Sequence, residues 1–375
     1  MAKKKPKVRA EFRKNHDTRA RQNDLTQRFD PDAADDSDRG ERVTGKGRLT
    51  RRRTVAGAEV TQDDSGSLVL PEVDRTVCRM GRVLRVQGLV SIVQMEDGRL
   101  LACATRQLLK QLSTELRHVV AAGDRVWVRP EGQREGVIER VEPRTGVLSR
   151  SSRGRQHLIV VNVDQVLIVA SAAEPRIKPN LIDRYLLTCE KMRIRPIVCI
   201  NKIDLVDPVS VMPLAGVYSQ LGYDVLCLSA RSGQGLDALR RLTAGKATAL
   251  SGQSGVGKSS LLNALDPGLA LRIQTVSAES QKGRHTTTTA ELIPLADGGW
   301  VVDTPGIRQF QLWDTIPKEL DGYFRELRPY VSQCRYPDCT HTHEDECAVK
   351  NAVADNHIDP RRYESFLQMQ AGDDF

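Results

Sequence analysis

The run Gly252-Gln253-Ser254-Gly255-Val256-Gly257-Lys258-Ser259 has the glycine, lysine and hydroxyl spacing of a phosphate-binding loop. Glycines so placed let successive backbone N–H groups turn inward on an anion, and a helix beginning near Ser259 adds the positive end of its dipole. Lys258 is then placed to reach the β- and γ-phosphates and serve transfer, and Ser259, followed by Ser260, to ligate Mg²⁺. Asp303-Thr304-Pro305-Gly306 follows the apolar stretch Trp300-Val301-Val302. A carboxylate there can hold Mg²⁺ through its water shell, and the Gly306 N–H can sense the γ-phosphate. Asn201-Lys202-Ile203-Asp204 follows another apolar stretch, and the Asp204 carboxylate can accept from both N1–H and the exocyclic amine of guanine. Adenine has no such pair of donors, so a site built on them rejects it strongly. Ser229-Ala230 resembles the backbone motif that receives guanine O6. These residues together predict a site for GTP and GDP.

The order of the motifs is unusual. A standard GTPase presents the phosphate loop first, then the DxxG, then NKxD and Ser-Ala; here NKID and Ser-Ala come before the phosphate loop and DTPG comes after it. Joining the old ends and cutting elsewhere preserves strand pairing, so the sheet can still form as a circular permutation. The segment after DTPG then leads into whatever lies C-terminal, which suits a reporter of nucleotide state. The residue after Gly306 is Ile307, where Ras-like enzymes carry the glutamine that orients the attacking water. His285, in Gly283-Arg284-His285-Thr286-Thr287-Thr288-Thr289, is the expected substitute, because imidazole can orient or deprotonate water near neutral pH. One threonine of this run should close on Mg²⁺, with Thr287 taken for that place. A contact to RNA is the competing role of His285.

Near the C-terminus, Cys334, Cys339 and Cys347 fall within fourteen positions together with His341 and His343. Three thiols and an imidazole suit a closed tetrahedral structural zinc site, with either histidine open as the fourth ligand. The other five cysteines are scattered singly and read as reduced core residues.

Around these motifs, apolar runs of strand length alternate with amphipathic helical segments from Leu158 onward, the pattern of a parallel sheet covered on both faces. Between Thr76 and Pro143 five short strands with a helix after the third predict an OB-type β-barrel, with Glu96-Asp97-Gly98 as a hairpin turn. Such barrels bind RNA or other polymers; a spacer is the alternative. The chain's formal net charge is +8, and Met1–Val60 alone carries 17 Lys and Arg against 10 Asp and Glu. With few aromatics and no sustained apolar period, residues 1–72 are expected to be a disordered basic tail suited to phosphate backbones. No stretch approaches the roughly 20 apolar residues of a membrane span, and no secretory leader is evident. A cytoplasmic monomer is expected. The fold class expected is multidomain: the OB-type barrel at 73–145, a central α/β P-loop GTPase domain with permuted motifs at 150–315, and a zinc-binding helical module at 316–375.

This combination resembles the RsgA/YjeQ family of GTPases that act in small ribosomal subunit biogenesis, from about Thr76 to the C-terminus. The spacing C-x4-C-x-H-x5-C and the GRHTTT stretch also resemble the family's, which favours His341 as the zinc ligand. The resemblance implies late binding to the small subunit and its rRNA, and GTP hydrolysis stimulated by it. Two other readings are a nucleotide-gated RNA-binding scaffold with incidental turnover, which Ile307 supports, and a P-loop ATPase or kinase.

Overall fold

A computed structural model describes residues 7–11, 43–44, 52–56, 58–63, 66–111, 119–152, 155–271, 290–303 and 319–372. The chain divides into two compact units, residues 1–163 with 287–293, and residues 164–286 with 294–375.

The first unit begins with β1 (Lys7–Glu11), β2 (Val43–Thr44), β3 (Arg52–Ala56), β4 (Ala58–Asp63) and β5 (Gly66–Pro71). β3 pairs antiparallel with both β1 and β2, and β4 and β5 form a hairpin in which Asp63 faces Gly66. These strands lie within the tail expected to lack structure, and that expectation is corrected for them. Among the charges, Thr54, Val55, Val60 and Thr61 are β-branched, and Leu68 to Leu70 is apolar, which suits strands.

Five strands then close a barrel: β6 (Arg79–Gln87), β7 (Val90–Met95), β8 (Leu100–Thr105), β9 (Arg125–Glu131) and β10 (Glu135–Val141). The short helix α1 (Gln107–Gln111) follows the third strand, and the fifth strand closes the ring by pairing parallel with the third and antiparallel with the fourth. This is the OB arrangement expected from the strand spacing. Alternation along each strand points Val83, Val93, Leu101, Val126, Val128 and Ile138 into a fully buried centre. The β7–β8 turn runs through Gly98 at φ +83°, as the Glu96-Asp97-Gly98 signal requires. Beyond the barrel, the guanidinium of Arg144 grips the buried Asp124 carboxylate with two bonds of 2.7 Å. The hairpin β11 (Leu148–Ser152) and β12 (Arg155–Val160) completes the series.

The second unit is built on parallel strands β13 (Gln165–Ser171), β14 (Arg195–Asn201), β15 (Asp224–Cys227), β16 (Ala247–Ser251) and β18 (Trp300–Asp303); β17 is Glu291–Pro294. They lie in the order β15-β14-β13-β16-β18, with β13 buried along its whole length. Helices α2 (Pro179–Met192), α3 (Met212–Gln220), α4 (Leu236–Thr243) and α5 (Lys258–Leu265) connect them. Pro179 opens α2 with its φ already set for the helix, and Arg193, at φ +53°, closes it: its backbone N–H donates to the Glu190 carbonyl and that of Ile194 to the Cys189 carbonyl. Chain order runs one way across the sheet from β13 to β15 and the other way from β16 to β18. Open α/β sheets bind ligands at such a reversal, outside the carboxyl ends of the strands.

The C-terminal part of this unit carries α6 (Arg328–Val331), α7 (Ala348–Ala354) and α8 (Pro360–Ala371). They pack around Phe324, Leu327, Val349, Ile358 and Phe366, each buried. Among the described residues, no helix is long and apolar enough to cross a membrane.

Candidate functional site

The phosphate loop leaves the carboxyl end of β16, and its glycines are there for space as well as torsion. Gly252 has φ +142°, and a Cβ on it would lie 2.1 Å from the Val169 carbonyl oxygen. Gly257, at φ +95°, would meet the Asn201 amide nitrogen at 2.4 Å. Neither position admits a side chain without moving backbone or the guanine motif. Gly257 caps α5, so the N–H groups of Lys258, Ser259 and Ser260 open the helix toward the loop. The Lys258 ammonium donates to the carbonyls of Gly252 (2.6 Å) and Gln253 (2.8 Å), lying back over the loop where phosphate oxygens would compete for it. Ser254 is exposed at the loop tip, and Val256 is buried beneath it.

The guanine motif follows β14 and is fastened to this loop. Asn201 is buried; its amide donates to the Val256 carbonyl (2.9 Å) and its oxygen accepts from the Ala230 N–H (3.2 Å). Lys202, at φ +64°, donates its ammonium to the Gly255 carbonyl (2.8 Å) and to the Glu174 carbonyl. Asp204 sits on a short 3₁₀ turn, exposed, with Oδ1 accepting from the Ser229 hydroxyl at 2.6 Å. Ser229 is wholly buried, and its hydroxyl oxygen also accepts from the Ser232 N–H. Its hydroxyl therefore braces Asp204.

Asn201, Lys202, Asp204, Ser229 and Ala230 are thus brought together with residues 252–260 at the carboxyl ends of β14, β15 and β16, with β13 lying between β14 and β16. Asp303 ends β18, the neighbour of β16. The side chain of Asp303, along with His285, Thr287, Gly306 and Ile307, lies outside the described residues.

A second cluster forms where Cys334, Cys339, His341 and Cys347 place their four ligand atoms within 4.8 Å of one another. Cys334 Sγ lies 3.8 Å from Cys347 Sγ and 3.5 Å from His341 Nδ1, which is 3.4 Å from Cys347 Sγ. A tetrahedral ion bound at about 2.3 Å to sulfur and about 2.0 Å to nitrogen needs S···S edges of about 3.8 Å and S···N edges of about 3.5 Å. The donor set therefore fits a four-coordinate metal ion, and all four corners come from protein. His343 is exposed, with its ring nitrogen 2.9 Å from the Thr342 hydroxyl, whereas the buried His341 stands with the three thiols.

Residues with no signal in the local sequence hold this cluster. Asp321 presents a carboxylate oxygen 3.6 Å from His341 Nε2, on the far side of the ring from the sulfurs. The Tyr363 hydroxyl donates to the His341 carbonyl at 2.6 Å, fixing a residue at φ +60°.

The family described as RsgA GTPase matches residues 141–313. A protein of Gemmatimonas aurantiaca named "Small ribosomal subunit biogenesis GTPase RsgA" is 40% identical over 300 residues, covering 79% of this chain and 97% of that one. The chain belongs to the RsgA GTPase family. A protein of the same name from Yersinia pseudotuberculosis is 38% identical over 311 residues, covering 79% of this chain and 86% of its own. Among solved structures, YjeQ from Thermotoga maritima matches with a TM-score of 0.65 at 36% identity, covering 79% of this chain and 98% of that one. YloQ, described as a circularly permuted GTPase, matches with a TM-score of 0.64 at 29% identity, over 80% and 97%. The permutation read from the motif order is therefore a property of the RsgA fold, and the chain is a GTPase.

Proposed function

We propose that this RsgA family member hydrolyses GTP to GDP and phosphate as a late maturation factor of the small ribosomal subunit, with turnover stimulated by that subunit. The observation that carries the nucleotide side of the reading is the brace joining Ser229 to Asp204, fastened through Asn201 to the phosphate loop. It sets a guanine-reading carboxylate at a fixed distance from a phosphate cradle. The names of relatives at 38–40% identity, which match nearly the whole of their own length, support the partner.

In this reading Gly252 to Ser260 wrap the phosphates, and Lys258 leaves the Gly252 and Gln253 carbonyls for the β- and γ-oxygens. Ser259 and Thr287 would hold Mg²⁺, which supplies charge neutralisation at the phosphates, with Asp303 acting through water and Gly306 sensing the γ-phosphate. His285 orients the attacking water in place of Ile307. Cys334, Cys339, His341 and Cys347 hold one structural zinc ion. The barrel (residues 73–145), the basic tail and the zinc module (316–375) contact rRNA, while residues 150–315 bind nucleotide; the protein works in the cytoplasm as a monomer.

The test is steady-state GTP hydrolysis with and without purified small subunits, with large subunits as the control. Strong stimulation by the small subunit alone is expected, and His285→Ala should remove most of it while leaving GTP affinity nearly unchanged. Tight GTP binding without stimulation would overturn the enzyme–partner assignment in favour of a nucleotide-gated RNA-binding scaffold.

A further inference from the structure

Helix α2 is gripped along its length by the C-terminal module. In its first turn Asn180 donates to Gln368 and accepts from the Ser365 hydroxyl at 3.1 Å, both residues lying on α8. One turn on, Asp183 pairs with Arg362 of α8 at 2.6 Å, and the same guanidinium pairs with Glu326 at 2.5 Å. All three are buried, and the Tyr218 hydroxyl donates to Asp183 at 2.8 Å. Near its end, Glu190 accepts from Arg325 (2.6 Å) and Arg328 (2.9 Å). Leu187, between these grips, is buried in the apolar cluster that includes Phe324 and Phe366.

The same helix borders the nucleotide site. Leu181, Ile182 and Tyr185 line a small crevice together with Gln253 and Val256 of the phosphate loop. The segment leading into α2 carries the Glu174 carbonyl, held by the Lys202 ammonium that also holds Gly255. The helix and the segment leading into it thus touch the phosphate loop, the guanine-motif lysine and the C-terminal module.

From this we infer that Arg362 is a positioning residue for the nucleotide site, tying α2 to α8 so that nucleotide occupancy and the state of the C-terminal module are energetically linked. The route is separate from the covalent one through the DTPG segment, and it rests on the nucleotide-site reading above. The salt bridge clamps a helix at one end of a chain of contacts whose other end is the loop that must settle around phosphate. By reciprocity, if GDP shifts the balance between a docked and a displaced α8, displacement of α8 changes GDP affinity by the same factor.

Hydrogen–deuterium exchange of the full-length, zinc-loaded protein, with and without Mg·GDP, tests this. In the wild type GDP should slow exchange in residues 252–265 and also in α8 and 321–331. In Arg362→Gln the slowing at 252–265 should persist while that at α8 disappears, and the affinity for GDP should change about fivefold or more. GDP protection at α8 that survives the substitution, or is absent from the wild type, would overturn the inference. Absence of protection at 252–265 would instead strike the nucleotide-site reading. If Arg362→Gln exchanges α8 at the unfolded rate without GDP, Glu190→Gln decides: the coupling should fall by at least about half, and an unchanged effect refutes the link.

Discussion

At the scale of single residues, the Ser229 side chain has a job beyond the one its backbone motif suggests. In the proposed reading the backbone at Ser229-Ala230 receives guanine O6, and the buried Ser229 hydroxyl in addition donates to Asp204. A bond from a neutral donor to a carboxylate contributes about 1.5–3 kcal/mol. Ser229→Ala should therefore weaken GDP binding by roughly 10- to 100-fold with little effect on folding, as read by titration with a fluorescent GDP analogue. Affinity within twofold of wild type would mean that Asp204 is oriented by other contacts. The phosphate loop was fully legible in the sequence because its spacing is dictated by the ligand: Gly252 and Gly257 must be glycines where neighbouring atoms would lie within 2.4 Å of a Cβ. The brace was not legible, since a serine-to-aspartate bond across 25 positions leaves no periodic trace.

Among elements, α2 and α8 depend on a triad of one guanidinium and two carboxylates. Burial pushes the Asp183 carboxyl up, and the charge of Arg362 pulls it back. Removing the cation leaves two buried carboxylates uncompensated, so Arg362→Met should cost about 3–5 kcal/mol, while Asp183→Asn, which removes the excess negative charge, should cost much less. Urea unfolding followed by a probe in α8 would compare them. In Arg362→Met the Asp183 carboxyl rises further, so the folded state binds its proton more tightly than the unfolded chain does. Stability is then lost as pH rises and regained toward about pH 4. A deficit that does not shrink on acidification would mean that packing, not charge, is what Arg362 supplies. Alternation of apolar runs sufficed to foresee β13, β14 and β16 and the helices between them. It could not foresee which helix faces which, because Asp183 and Arg362 are polar residues that an amphipathic reading assigns to solvent. The N-terminal strands were not legible for the complementary reason: the charged residues in and around them outweighed the Val and Thr pattern.

On the scale of the whole molecule, the C-terminal module owes its order to two sources, the apolar cluster around Phe324 and Phe366 and the proposed zinc at the four-residue corner. Ligand binding is folding energy here, so stripping the metal with a chelator should raise amide exchange throughout residues 319–372 while leaving β13, β14 and β16 protected. Two or more protons should be taken up as the thiolates are released, measurable in weak buffer. Equal loosening of the central sheet would show that the metal supports the entire second unit.

The position of β16 has a consequence for birth as well as for binding. β13 pairs with β14 on one edge and with β16 on the other, yet β16 begins at Ala247, long after Ser171. While the chain is being synthesised, the guanine-reading half emerges first, and the wholly buried β13 waits with one edge bare. Translation past Leu265 must finish before a phosphate cradle exists, so a nascent chain released early would carry a base-reading half with an adhesive flank and no nucleotide to steady it.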